Sequence, residues 1–140
     1  MGFTAASLGA SEVVLLEGDR AACKHLRTTI QEAQRRLDGQ ELSSDFSLLS
    51  GDLAKLWPRL ESKQRPSHVW ADPPYDSTLK WVEFLLKKLQ DSLADDGTFI
   101  LEAASKDRDS LNNLFSLGGY WDIVKEKHYG DSLILMGKRR

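Results

Sequence analysis

Between Glu12 and Leu101, short apolar runs alternate with longer stretches whose apolar residues recur every three or four positions, and few architectures accommodate that alternation. Phe3 to Leu8 reads as a short helix closed by Gly9, and the β-branched run EVVLL, Glu12 to Leu16, reads as the first strand. From Arg20 to Leu37 the residues Ala22, Leu26, Ile30, Ala33 and Leu37 share one helical face, with Gly39 beyond the end. Phe46 to Leu49 forms a second strand ending at Ser50-Gly51-Asp52, and a short helix follows over Leu53 to Leu60. Val69-Trp70-Ala71 is a third, short strand. Leu79, Val82, Leu85, Leu86, Leu89 and Leu93 then mark a helix that Asp95-Asp96-Gly97 ends before the strand Thr98 to Leu101. A helix over Arg108 to Phe115 and a hairpin, Trp121 to Lys127 and Ser132 to Lys138 around Gly130-Asp131, complete the chain. Strands alternating with covering helices predict an α/β fold whose sheet is mostly parallel, with an antiparallel hairpin at its C-terminal end.

The 140 residues, 41% of them hydrophobic and 29% charged, suffice for one domain over 1–140. A formal net charge of -2 gives no global electrostatic footprint for nucleic acid and leaves a local patch open. The single cysteine, Cys23, excludes an internal disulfide. No apolar run is long enough for a bilayer span or a secretory leader, so a cytoplasmic protein without a membrane partner is expected.

In open parallel sheets ligands bind beyond the carboxyl ends of the strands. Here those ends read Glu17-Gly18-Asp19, Gly51-Asp52, Asp72-Pro73-Pro74-Tyr75 and Glu102, each with a carboxylate. Glu17 suits a pair of ribose hydroxyls, with Gly18 admitting an adenine ring; equally, a carboxylate there can cap a helix. Asp19 is placed to cap the helix beginning at Arg20. Asp52 can accept from an adenine amino group or cap the helix after it. His25, His68, His128 and Cys23 fall in no metal-ligand spacing and read as structural or surface residues; no metal site is expected.

Asp72-Pro73-Pro74-Tyr75 is a different kind of strand exit. The two prolines stiffen the backbone and remove two donors. Average composition gives this tetrapeptide by chance in a chain of this length on the order of once in a thousand. A rigid turn alone uses only the prolines. A site for an exocyclic amino group uses all four residues: the Asp72 carboxylate and Pro73 carbonyl accept its hydrogens, the prolines fix those acceptors, and Tyr75 offers a stacking face. Such acceptors favour methylation of a base nitrogen, whose lone pair is otherwise delocalised into the ring. A base taken from a duplex also needs a platform once unstacked.

These residues make the chain similar to the amino-group methyltransferases that use S-adenosylmethionine, and most closely to the bacterial family methylating guanine N2 of 16S ribosomal RNA. The resemblance runs through MGFTAASLGA, VVLLEGDRAACKHLRTTI, VWADPPYDSTL and ILEAASK, and so covers nearly the whole chain. It implies a Rossmann-like class I methyltransferase sheet, Asp72, Pro73, Pro74 and Tyr75 as catalytic loop, and Gly2, Glu17, Gly18, Asp52, Leu53 and Asp72 as cofactor-binding residues. Ribosomal RNA or the small-subunit particle is the implied partner. The family pattern also carries a strand and a D-x-F-x-G-S-G loop before the stretch matching MGFTAAS, whose last glycine Gly2 matches. A first central strand missing from this chain is therefore expected, through an amino-terminal truncation or with a complementing segment or self-association filling the gap, and the chain alone is expected to bind cofactor weakly or not at all and to show no measurable methyl transfer. The same tetrapeptide serves DNA adenine-N6 and cytosine-N4 methyltransferases, and an inactive interaction subunit would keep the fold as well.

Overall fold

The computed structural model describes residues 1–36, 44–61 and 65–140. The positions Leu37 and Gly39, assigned above to the end of a helix and its stop, lie outside them. The chain divides into two compact units, Met1–Lys63 and Gln64–Arg140. Among the described residues the strands form two sheets, with two parallel and two antiparallel pairings, and the parallel strands and antiparallel C-terminal end are as expected.

The first unit contains α1 (Gly2–Ser7), β1 (Glu12–Glu17), α2 (Arg20–Arg36), β2 (Asp45–Ser50) and α3 (Leu53–Glu61). β1 and β2 are parallel, in register from Glu12↔Asp45 to Glu17↔Ser50. α1 ends where Gly9 takes φ 98°, and it lies close against β1. A Cβ on Gly2 would stand 2.6 Å from Leu15 Cδ2 and 3.1 Å from Val13 Cγ1. The Phe3 ring stacks on Phe46 of β2, with centroids 5.2 Å apart. α2 starts where expected because Asp19 Oδ1 accepts from the Ala22 amide at 2.8 Å, satisfying a first-turn donor. α3 runs through Pro58 to Glu61, with Trp57 buried and its Nε1 donating to Glu61 Oε1 at 2.7 Å.

The second unit contains β3 (His68–Ala71), α4 (Thr78–Ser92), β4 (Thr98–Ala104), a 3-10 turn (Ser105–Asp107), α5 (Arg108–Ser116), β5 (Trp121–Tyr129) and β6 (Ser132–Arg139). Its sheet has the order β3-β4-β6-β5. β3 and β4 are parallel, and β6 is antiparallel to both β4 and β5. α4 and α5 supply the core. Val82, Leu85, Leu86 and Leu89 are buried, whereas Leu79, counted above in the same stripe, is exposed in the first turn of α4. Phe115 of α5 packs against Phe99 and Trp121, with centroids 5.9 Å and 6.4 Å away, and Trp121 Nε1 donates to the Leu86 carbonyl at 3.2 Å. Among the described residues no helix is long and apolar enough to cross a membrane.

Candidate functional site

The carboxyl ends of β1 and β2 bring the expected residues of the first unit together. The Gly51 amide donates to the Glu17 carbonyl at 2.9 Å, extending the ladder one step beyond Glu17↔Ser50. The Cys23 thiol lies 3.3 Å from the Glu17 carbonyl and 3.2 Å from the Ser50 hydroxyl, so α2 is fastened to both strand ends. Cys23 thus has the structural place expected of it. Glu17 is half-buried, and its Oε1 accepts from the Asp19 amide at 2.8 Å. One carboxylate oxygen is fixed by the backbone while Oε2 remains an acceptor for a ligand.

A Cβ on Gly18 would meet the Gly51 carbonyl at 3.7 Å, and Gly51 takes φ 143°, a backbone that L side chains rarely adopt. The two strand ends therefore meet glycine to glycine, with Glu17 on one side and Asp52 on the other. Asp52 Oδ1 accepts from the Lys55 amide at 3.2 Å, so it does cap α3, and Leu53 behind it opens that helix. Capping engages one oxygen of Asp52 and leaves the other. Gly51, which the sequence marks only as part of a strand end, is the member of this group without an expected role. Its signal was available, since a glycine between a strand and an Asp-capped helix often marks a positive φ. Gly2 belongs to the α1–β1 contact, against Leu15 and Val13.

In the second unit, Asp72 follows β3 directly. Its side chain is exposed, and among the described residues no hydrogen bond or ion pair engages the carboxylate. The turn behind it is closed by the Pro74 carbonyl, which accepts from the Ser77 amide at 3.0 Å, Thr78 Oγ1 at 3.1 Å and Ser77 Oγ at 3.4 Å. Thr78 is buried at the start of α4, so the loop is anchored to the helix. This leaves the Asp72 carboxylate and Pro73 carbonyl as acceptors in a stretch with no competing proline N–H. Tyr75 is 55% exposed. Ser77 and Thr78 are the residues missed here, legible only as hydroxyls three and four positions beyond a proline carbonyl.

Glu102, read above as a strand end, lies inside β4. The strand continues to Ala104 because β6 keeps pairing with it through Ala103↔Leu133 and Ala104↔Ser132. A cleft of about 440 Å³ against α5 and β5, lined by residues such as Asn112, Ile123 and Arg140, contains none of the candidate residues.

The sequence pattern of a family described as conserved hypothetical protein 95 matches residues 1–138. Among solved structures, a candidate methyltransferase, yhhF, from Escherichia coli superposes with a TM-score of 0.72 at 23% identity, over 100% of this chain and 71% of that one. A candidate methylase from Haemophilus influenzae gives 0.65 at 20% identity, covering 97% of this chain and 77% of its own. A ribosomal protein L11 methylase from Lactobacillus delbrueckii subsp. bulgaricus gives 0.69 at 17% identity, covering 99% and 65%. The fold is thus the Rossmann-like α/β arrangement found in these proteins. A comparison with curated proteins gives no match.

Proposed function

We propose that this chain, which belongs to the conserved hypothetical protein 95 family, transfers a methyl group from S-adenosylmethionine to an exocyclic amino group of a base in RNA, specifically guanine N2 of 16S ribosomal RNA. The observation that carries the reading is the exit from β3. An exposed carboxylate that has no partner among the described residues stands beside a proline carbonyl likewise without one, on a loop whose next carbonyl is tied down by Ser77 and Thr78. Acceptors held in this way are preorganised for an amino group, and Tyr75 supplies the stacking surface. The chain's kinship with methylase folds supports the same reaction class.

The first unit fits the adenosine end of that cofactor. The unengaged Glu17 oxygen suits a ribose diol, the glycine pair Gly18 and Gly51 leaves the backbone open to a flat ring, and Asp52 with Leu53 borders it. When bound, S-adenosylmethionine supplies an electrophilic methyl on a positively charged sulfur. Asp72 and the Pro73 carbonyl draw the amino hydrogens out of the plane of the base, which returns the lone pair to nitrogen. An amino nitrogen held in this way would be free to accept a methyl group, and its surplus proton would pass to water. Tyr75 holds the unstacked base face-on, restricting it to the attacking orientation.

The test is tritiated-methyl transfer to small-subunit RNA by a protein in which this chain is preceded by the strand and glycine-rich loop of the family pattern, with product nucleosides identified by mass spectrometry. Asp72→Ala is expected to abolish turnover while cofactor affinity falls less. Tyr75→Ala should raise the substrate KM and slow turnover, by about 1–3 kcal/mol in kcat/KM. Methylated adenine or cytosine in DNA as the sole product, or no product with any nucleic acid, would overturn the reading. Equal large losses of cofactor affinity in both variants would show the two subsites to have been exchanged.

A further inference from the structure

We propose that the tip of the β5–β6 hairpin, through Tyr129 and Lys127 with Lys106 nearby in the chain order of the same rim, is a second contact for the RNA strand that carries the target base. The inference rests on the methyl-transfer reading above and extends it to how the substrate is held.

Strand direction brings these residues to the loop after β3. β4 runs parallel to β3, β6 runs against β4, and β5 runs against β6. β5 therefore points the same way as β3 and β4, and the carboxyl ends of all three lie on one rim. Asp72–Tyr75 leaves that rim after β3, Lys106 follows β4, and Tyr129 ends β5.

Register decides which side of the sheet they occupy. Phe99, Leu101, Leu133 and Leu135 are buried on the side covered by α5, whose Phe115 lies over Gly137. Lys127 shares Ile134 with Glu102, and Tyr129 shares Ser132 with Ala104, so both alternate to the opposite side. There the Tyr129 side chain is 57% exposed and Lys127 is exposed. Arg108, Arg139 and Arg140 all have carboxylate partners, whereas among the described residues neither Lys127 nor Lys106 has one. The tip is also held in place. Gly130 takes the left-handed backbone of a tight turn, φ 58°, and the Ser105 amide donates to the Asp131 carbonyl at 2.7 Å.

An exposed aromatic ring beside unpaired ammonium groups on an ordered turn suits single-stranded nucleic acid, in which bases stack and phosphates attract cations. The span fits as well. β3 and β5 are separated by three strand spacings, about 14 Å, a distance that a few nucleotides of an extended single strand cover. A base seated at Asp72–Tyr75 would thus bring a flanking nucleotide to Tyr129. Lysines on an edge strand also discourage strand pairing between molecules, and that role alone would leave RNA affinity indifferent to them.

The experiment is fluorescence anisotropy of a short labelled single-stranded RNA carrying one guanine, titrated with the full chain over a series of salt concentrations. Tyr129→Ala is expected to weaken binding roughly 5- to 150-fold, and Tyr129→Phe to retain it. Lys127→Ala and Lys106→Ala should each lower the slope of log affinity against log salt by about 0.7. Irradiation of the unsubstituted protein with the same RNA containing 4-thiouridine should crosslink the peptide bearing Tyr129, a readout that needs no variant to fold. If Tyr75→Ala loses RNA while the hairpin variants keep both affinity and slope and no crosslink forms at Tyr129, the hairpin contact is refuted and the methyl-transfer reading survives. If the unsubstituted protein binds no RNA at low salt, that reading fails and this inference with it.

Discussion

Gly137 lies under the ring of Phe115: a Cβ there would stand 2.5 Å from Cε1 and 3.3 Å from Cδ1. Phe115 cannot move aside, since it is buried against Phe99 and Trp121. Gly137→Ala should therefore destabilise the protein by about 1–3 kcal/mol, the usual range for an overpacked core. Urea denaturation would register it as a lower midpoint at unchanged slope, and an unchanged midpoint would show that the core yields. In the sequence Gly137 is simply one position within Ser132 to Lys138, because close approach of a helix to a strand depends on a register that local pattern does not carry. Capping by Asp19 and Asp52 was legible, since a cap needs only the residues that follow it. The Asp72 loop was legible for the same reason, down to the free carboxylate, but its tie to Thr78 was not.

At the scale of elements, β5 and α5 are joined by a small charged cluster. Glu126 accepts from Arg108 Nε at 2.6 Å, and the His128 ring nitrogen lies 2.8 Å from the same oxygen. The hydrogen bond from Arg108, followed by that from His128, holds the Glu126 carboxyl below the usual glutamate range. A carboxyl whose folded-state value lies below its unfolded value contributes stability above the unfolded value and loses it as pH falls through the folded one. The melting temperature should accordingly drop on the acid side of the usual glutamate range, and Glu126→Gln should flatten that part of the profile. Parallel acid profiles for the two proteins would remove the cluster from the account. The element pattern itself was readable because helical and strand periods differ and glycines punctuate them. Ends were less so: β4 runs three residues beyond Leu101 because β6 continues the ladder, and β5 reaches Tyr129 because the turn needs only Gly130-Asp131.

For the molecule as a whole, alternating periods gave the α/β class and the antiparallel end, whereas the strand order β3-β4-β6-β5 depends on long-range pairing that no local signal encodes. β6 is paired on both sides, with β5 across a two-residue turn and with β4 across a far longer stretch of chain. That position imposes an order in time. A hairpin can close in about 1–10 μs, while β3 and β4 must find each other across thirty residues, as in His68↔Thr98, and meet the entropy of that longer closure. The β5–β6 hairpin is therefore expected to be the template on which β4 and then β3 are laid down. Gly130 provides a clean probe, because a Cβ there touches nothing within 4 Å yet its φ of 58° strains any other residue. In stopped-flow refolding, Gly130→Ala should slow folding about fivefold, as expected for roughly 1 kcal/mol of turn strain already felt at the barrier. Val69→Ala in β3 should instead mainly speed unfolding. The reverse pattern would mean that β3 nucleates, and that the loop bearing Asp72 is among the first parts of the second unit to take shape rather than the last.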